Sequence, residues 1–187
     1  MGGFHKGNLR YQDHTFTECL IQEMKKEVQT LWISYGSERR EGYPECKILM
    51  DEYLGCGPLG GIHAGLKNCA CEWLCVAACD MPLLKSEWYQ YLWEQRTEDA
   101  MGIVPVMKGK VHPLAAIYRK ELEHVAQTQI EKGQYRMLEF LRQAQIQYVD
   151  VSEEEWVEQM LYNVNTREEY EQMMWITKQE ECGKWKK

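Results

Sequence analysis

The chain has 187 residues, 44% of them of apolar type, which suffices for one domain with a sizeable core and is too short for two comfortable ones. Its 22 Lys and Arg against 29 Asp and Glu leave a net charge of −7, arguing against a surface that tracks phosphates and against nucleic acid as a partner. No apolar run reaches membrane-spanning length, and MGGFHKGNLR at the start lacks a signal-peptide core, so the reading is a soluble, cytoplasmic protein without a membrane partner.

From Thr15 the pattern is helical: Thr15 and Glu18 form a capping box, and Leu20, Ile21, Met24 and Val28 recur at helical spacing. Leu31–Tyr35 is rich in strand formers and is stopped by Gly36 and Ser37. Lys47–Asp51 is a second short strand, followed by a glycine loop, a helix over Pro58–Lys67 and an apolar strand over Trp73–Cys79 that ends at Asp80. Ser86–Arg96 predicts an aromatic helix with Trp88, Leu92 and Trp93 along one core stripe. Gly102–Met107 and Val111–Tyr118 flank the turn Lys108-Gly109-Lys110, a hairpin expected at the side of the sheet. Helices over Lys120–Glu131 and Arg136–Ala144 and a strand over Gln147–Val151 follow. Ser152 with Glu155 and Thr166 with Glu169 are two further capping boxes, the latter opening the last helix, and the tail GKWKK is expected to fray.

Strands alternating with helices predict a three-layer, Rossmann-like α/β domain over residues 1–187, with a mostly parallel sheet and one antiparallel hairpin. Such folds usually open on a central strand, and no apolar strand precedes the first helix here, so the first strand is expected to be missing.

The stretch from Asp51 to Pro82 carries the chemistry. An acid at the carboxyl end of a buried strand sits where open α/β sheets bind ligands, and Asp80 is therefore a candidate metal ligand, or alternatively a turn or cap residue ahead of Pro82. Gly55, Gly57, Gly60 and Gly61 surround Pro58, so backbone N–H groups can approach an anion, unless the run is only a tight strand-to-helix turn. Cys69, Cys71, Cys75 and Cys79 fall within eleven residues, yet Cys75 and Cys79 on one strand would be roughly 13 Å apart, too far to share an ion or a disulfide. They read as small apolar core residues on one face, with the thiols reduced.

MGGFHKG, GPLGGIHAGL, ACDMPLL, HPLAAIY and NVNTREEY, in this order, resemble the molybdenum cofactor guanylyltransferases over nearly the whole chain. The resemblance implies transfer of GMP from GTP to molybdenum-bound molybdopterin with release of pyrophosphate. GTP is then the substrate, Mg²⁺ the cofactor and molybdopterin the acceptor. Other cofactor-biosynthesis proteins and acceptor molybdoenzymes are implied as partners. It further implies that Asp80 holds Mg²⁺, that Lys6 contacts the triphosphate, and that Asp51 and Ser34 contact the nucleotide. Ser34 stands where the family is expected to carry Asn. Gly57, Pro58, Leu59 and Gly60, with Gly61, correspond to the family's glycine loop. His112, Asn163 and Asn165 fall in segments lining the acceptor side, although Asn165 could instead only fix the turn before Thr166. Met1, Gly2 and Lys6 match only the end of the family's N-terminal phosphate loop, so the native start is expected upstream. Two other readings stay open: a cytidylyl or sugar-phosphate nucleotidyltransferase of the same fold, and a non-catalytic remnant lacking that loop.

Overall fold

The computed structural model describes residues 6–36 and 43–184. The matches at Met1 and Gly2, the side chain of Lys6 and the end of the tail lie outside the described residues.

A small hairpin of β1 (Arg10–Tyr11) and β2 (His14–Thr15) leads into α1 (Phe16–Met24). Thr15 caps α1 as its pattern predicts: Glu18 N–H donates to Thr15 Oγ1 at 3.2 Å, and Thr15 N–H donates to Glu18 Oε2 at 2.6 Å. β3 (Trp32–Ser34) and β4 (Lys47–Leu49) pair in parallel, and α2 (Pro58–Asn68) connects β4 to β5 (Trp73–Ala77). After α3 (Glu87–Glu94) come β6 (Gly102–Met107), β7 (Lys110–Val111) and β8 (Ala115–Arg119). α4 (Glu123–Glu131), α5 (Met137–Gln143), β9 (Ile146–Asp150), α6 (Glu155–Met160) and α7 (Arg167–Lys184) complete the chain.

The layers follow from the alternation of successive strand side chains between the two faces of the sheet. Trp73, Cys75 and Ala77 of β5, with Ala115 and Ile117 of β8, face α1, α3 and α6 through Leu20, Met24, Trp88, Leu92 and Val157. Leu74 and Val76, with Ala116 and Tyr118, face α2, α4 and α5 through Leu59, Leu66, Ala126 and Phe140. Both faces of the sheet are therefore covered, which is the three-layer α/β arrangement. Trp88, Tyr118 and Phe140 are fully buried, each contributing about 2 to 3 kcal/mol of hydrophobic stabilisation. Trp93, expected on the same stripe as Trp88, is 38% exposed and packs edge-on against Trp73.

The main sheet is mixed. β5 and β6 each run antiparallel to β8, and β9 runs parallel to β6, so β5, β6 and β9 share one direction and only β8, with β7, opposes them. The hairpin forms, but it lies inside the sheet rather than at its side, because β8 sits between β5 and β6. Its return arm is broken at His112–Leu114 into β7 and β8. β3 and β4 form a separate pair, and among the described residues no strand pairs with the edge of β5 opposite β8.

Two local expectations are corrected. Ser152 does not cap α6: its hydroxyl is taken by Asp150 Oδ1 and by the N–H of Lys108 at 2.8 Å, and Glu154 occupies the cap position without a side-chain capping bond. Cys79 lies beyond the end of β5 and is exposed, so it is not a core partner of Cys75. Burial pushes the Cys75 thiol up to about 12, leaving it protonated and unreactive at neutral pH. No helix of the described residues is long and apolar enough to cross a membrane.

Candidate active site

Helix α2 brings the strand ends together. At its first turns, a Cβ on Gly61 would lie 3.2 Å from Ser34 Oγ, whereas one turn later a Cβ on Gly65 would meet the Leu74 side chain near the start of β5. β5 then leads away from that contact to Asp80, just beyond its end.

The first cluster sits where β3 and β4 end. Ser34 Oγ donates to Asp51 Oδ1 at 2.6 Å and accepts from Gly36 N–H at 3.3 Å. The other carboxylate oxygen of Asp51 rests against the backbone of Gly60, where a Cβ would come within 3.1 Å of it and of the Tyr53 carbonyl. An anion beside the first turn of α2 is favoured by the helix dipole. Gly57 caps α2 with φ 59° and ψ −148°, a backbone that L side chains rarely adopt, and Pro58 occupies the first helical position. Glycine at 57 is thus favoured by conformation, and at 60 a side chain would crowd Asp51 and the Tyr53 carbonyl. Leu59 is fully buried in the core beneath the loop.

The second cluster surrounds Asp80. It lies in a turn in which Met81 N–H donates to the Ala78 carbonyl at 3.1 Å. Asn163 Nδ2 donates to Asp80 Oδ1 at 2.9 Å, and Val164 N–H donates to the Asp80 carbonyl at 2.8 Å. Val164 is fully buried with Phe16, Leu83 and Met173, which fixes the Asn163-Val164-Asn165 segment in place. Asn165 is exposed, and both its N–H and that of Thr166 donate to Glu169 Oε2, so the third capping box forms at α7. The turn role foreseen for Asn165 is therefore present in its backbone.

Two further segments converge on Asp80. Ala78 N–H donates to the Leu114 carbonyl at 2.9 Å, which places the His112–Leu114 break of the hairpin beside the end of β5. His112 is buried and its pKa is lowered to about 4 by burial and by nearby Lys110. At neutral pH it is an uncharged imidazole, able to donate or accept one hydrogen bond but not to neutralise a phosphate. On the other side, a Cβ on Gly7 would lie 3.7 Å from the Cβ of Cys79, and Thr17 Oγ1 donates to the Gly7 carbonyl at 3.1 Å. The backbone of Lys6–Asn8 is thereby held next to the Asp80 turn.

These residues suit a divalent cation only if its other ligands come from water and substrate. Among the described residues no group of three or more His, Cys, Asp or Glu could form a protein cage. Mg²⁺ does not require one: it commonly keeps its waters and binds through one or two carboxylates together with substrate phosphates. A half-buried hard carboxylate at a strand end fits that demand. Sequence reasoning identified Asp80 and Asn163 separately; it missed their contact and the anchoring by Val164, which only the buried position of a Val between two Asn hints at.

The chain is similar to known proteins in both sequence and fold. The chain is 29% identical over 175 residues to a protein of Bacillus cereus (strain G9842) named probable molybdenum cofactor guanylyltransferase, covering 91% of this chain and 88% of the relative. In fold it is similar to the crystal structure of molybdopterin-guanine dinucleotide biosynthesis protein A from Archaeoglobus fulgidus, with a TM-score of 0.78, 21% identity and coverage of 95% and 92% of the two chains. It is also similar in fold to 2-C-methyl-D-erythritol 4-phosphate cytidylyltransferase from Thermus thermophilus, with a TM-score of 0.71, 10% identity and coverage of 92% and 94%. Residues 1–148 match the model of the MobA-like NTP transferase domain, and the chain belongs to that family of nucleotidyltransferases.

Proposed function

We propose that this chain transfers GMP from GTP to molybdenum-bound molybdopterin, releasing pyrophosphate. The observation that carries the reading is a carboxylate held by a side-chain hydrogen bond just beyond each of two strands, Asp51 by Ser34 after β4 and Asp80 by Asn163 after β5. The first pair suits a purine edge. A carboxylate accepts from the guanine N1–H and 2-amino groups, and the Ser34 hydroxyl holds Asp51 for that contact. The second pair suits phosphate chemistry, in which an oxygen of the acceptor's phosphate attacks the α-phosphorus of GTP. The bond to the β-phosphate breaks, and pyrophosphate carries the electron pair away.

In such a displacement the protein chiefly brings two anions together and offsets charge. Asp80 is the residue that would hold Mg²⁺, and Lys6 and the α2 loop would contact the triphosphate. When bound, Mg²⁺ supplies charge neutralisation of the nucleotide phosphates and of the leaving pyrophosphate. His112 and Asn165 would border the acceptor's pterin and phosphate, with His112 uncharged. The names of the relatives in Bacillus and Archaeoglobus support the guanylyl reaction and this acceptor.

The test is equilibrium binding of GTP and CTP in magnesium, followed by transfer from GTP to molybdopterin. GTP is expected to bind more tightly, and Asp80→Asn to abolish transfer while leaving thermal unfolding unchanged. Preferential CTP binding overturns the guanine reading, and transfer retained in Asp80→Asn overturns the role of that carboxylate.

A further inference from the structure

We infer that Asn163 is a positioning residue for Asp80, its amide fixing the carboxylate so that the strand end presents a ready oxygen to a divalent cation. The inference rests on the reading of Asp80 given above and assigns Asn163 to the nucleotide and metal half of the reaction rather than to acceptor recognition.

Three observations support it. The amide-to-carboxylate bond is 2.9 Å long and joins residues 83 positions apart in the chain, so it is made by the tertiary fold and not by a local turn. The orientation of the amide is set by chemistry, because the opposite orientation would place its carbonyl oxygen against an anion. The neighbouring Val164 N–H holds the backbone of the same Asp80 at 2.8 Å while its side chain is buried among Phe16, Leu83 and Met173. The Asn163 backbone is therefore locked before any ligand arrives, and two bonds from one short segment hold both the main chain and the side chain of Asp80. Groups that orient a metal ligand in this way typically change metal affinity 10- to 100-fold when removed.

The experiment uses the full chain, Mn²⁺ as the probe and GTP as the nucleotide, with no molybdopterin present. Electron paramagnetic resonance of free Mn²⁺ reports the Mn²⁺ affinity of the GTP complex. Asn163→Ala is expected to weaken that affinity about tenfold or more with little change in the temperature of unfolding. Asn163→Leu keeps the branching at Cγ without the donor and carries the same expectation if the alanine variant fails to fold. Affinity within about twofold of the wild type in either folded variant overturns the positioning role. Asp80→Asn separates the two levels. If it loses Mn²⁺ while Asn163→Ala retains it, only the positioning role fails. If Asp80→Asn retains Mn²⁺, or the wild type shows no GTP-dependent Mn²⁺ binding, the reading of Asp80 fails and the inference with it.

Discussion

Gly60→Ala separates what α2 needs as a helix from what it needs as one wall of a site. Within a helix, replacing Gly by Ala ordinarily stabilises by up to about 1 kcal/mol. Here the new methyl would stand 3.1 Å from Asp51 Oδ2, 3.1 Å from the Tyr53 carbonyl and 3.5 Å from the Cys56 Cβ. The carbonyl is backbone and yields little, so the carboxylate has to move by a few tenths of an ångström. That motion turns Asp51 off its rotamer at a cost of about 0.5 to 1.5 kcal/mol, and it stretches the 2.6 Å bond from Ser34. The two contributions nearly cancel in stability but not in binding. Urea unfolding should show a change within about 1 kcal/mol of zero, whereas GTP affinity measured by calorimetry should fall about tenfold, a cost of ~1.4 kcal/mol. A variant that gains the full helix stabilisation and binds GTP as before would show that Asp51 is free to sit elsewhere, and the argument for a tight cradle would collapse.

Thr15→Ala removes the cap of α1 and is expected to lower stability by about 1 kcal/mol, read as a lower urea midpoint at unchanged slope. Glu18 is lowered in pKa by the hydrogen bonds from Thr15, so the box is intact above the ordinary carboxylate range and is lost on acidification. The stability difference between wild type and Thr15→Ala should therefore shrink at low pH; a constant difference would contradict the box. His112 has its pKa lowered from 6.5 to about 4, so unfolded chains take up a proton that the folded protein refuses. Stability is unaffected above pH 6.5 and falls by about 3 kcal/mol on going down to pH 4. In His112→Gln that part of the loss should vanish, and an acid limb identical to the wild type would refute it.

Elements whose cause is local were legible in the chain. Thr15 with Glu18, Thr166 with Glu169 and Pro58 after Gly57 each specify a helix start within a few residues, and all three form. Ser152 with Glu155 spells the same pattern and fails, because Asp150 and the backbone of Lys108, brought close by the β6 and β9 pairing, take the hydroxyl first. The hairpin was readable from its turn, but its place in the middle of the sheet was not, since that depends on β5 choosing β8 as its neighbour. The candidate site divides in the same way. Asp80 and the glycine loop stand out in sequence because strand ends and glycine runs have local signatures. The bond from Ser34 to Asp51 and the one from Asn163 to Asp80 join segments 17 and 83 residues apart, which no short pattern encodes.

The packing of Val164 and Met173 on Phe16 carries a consequence for the order of events during synthesis. Tyr170 Oη donates to the Arg10 carbonyl across 160 residues, so a segment made early is completed only by one made much later. At typical translation rates the interval is roughly 8 to 30 s. Throughout it, Phe16 lacks the side chains of Val164 and Met173, and from the moment the Asp80 turn is made it waits a further 83 residues for its bond from Asn163. The nascent chain therefore passes through a state in which most of the sheet is already made while the Asp80 turn is still loose, and the turn is fixed only when the Asn163-Val164 segment and α7 dock.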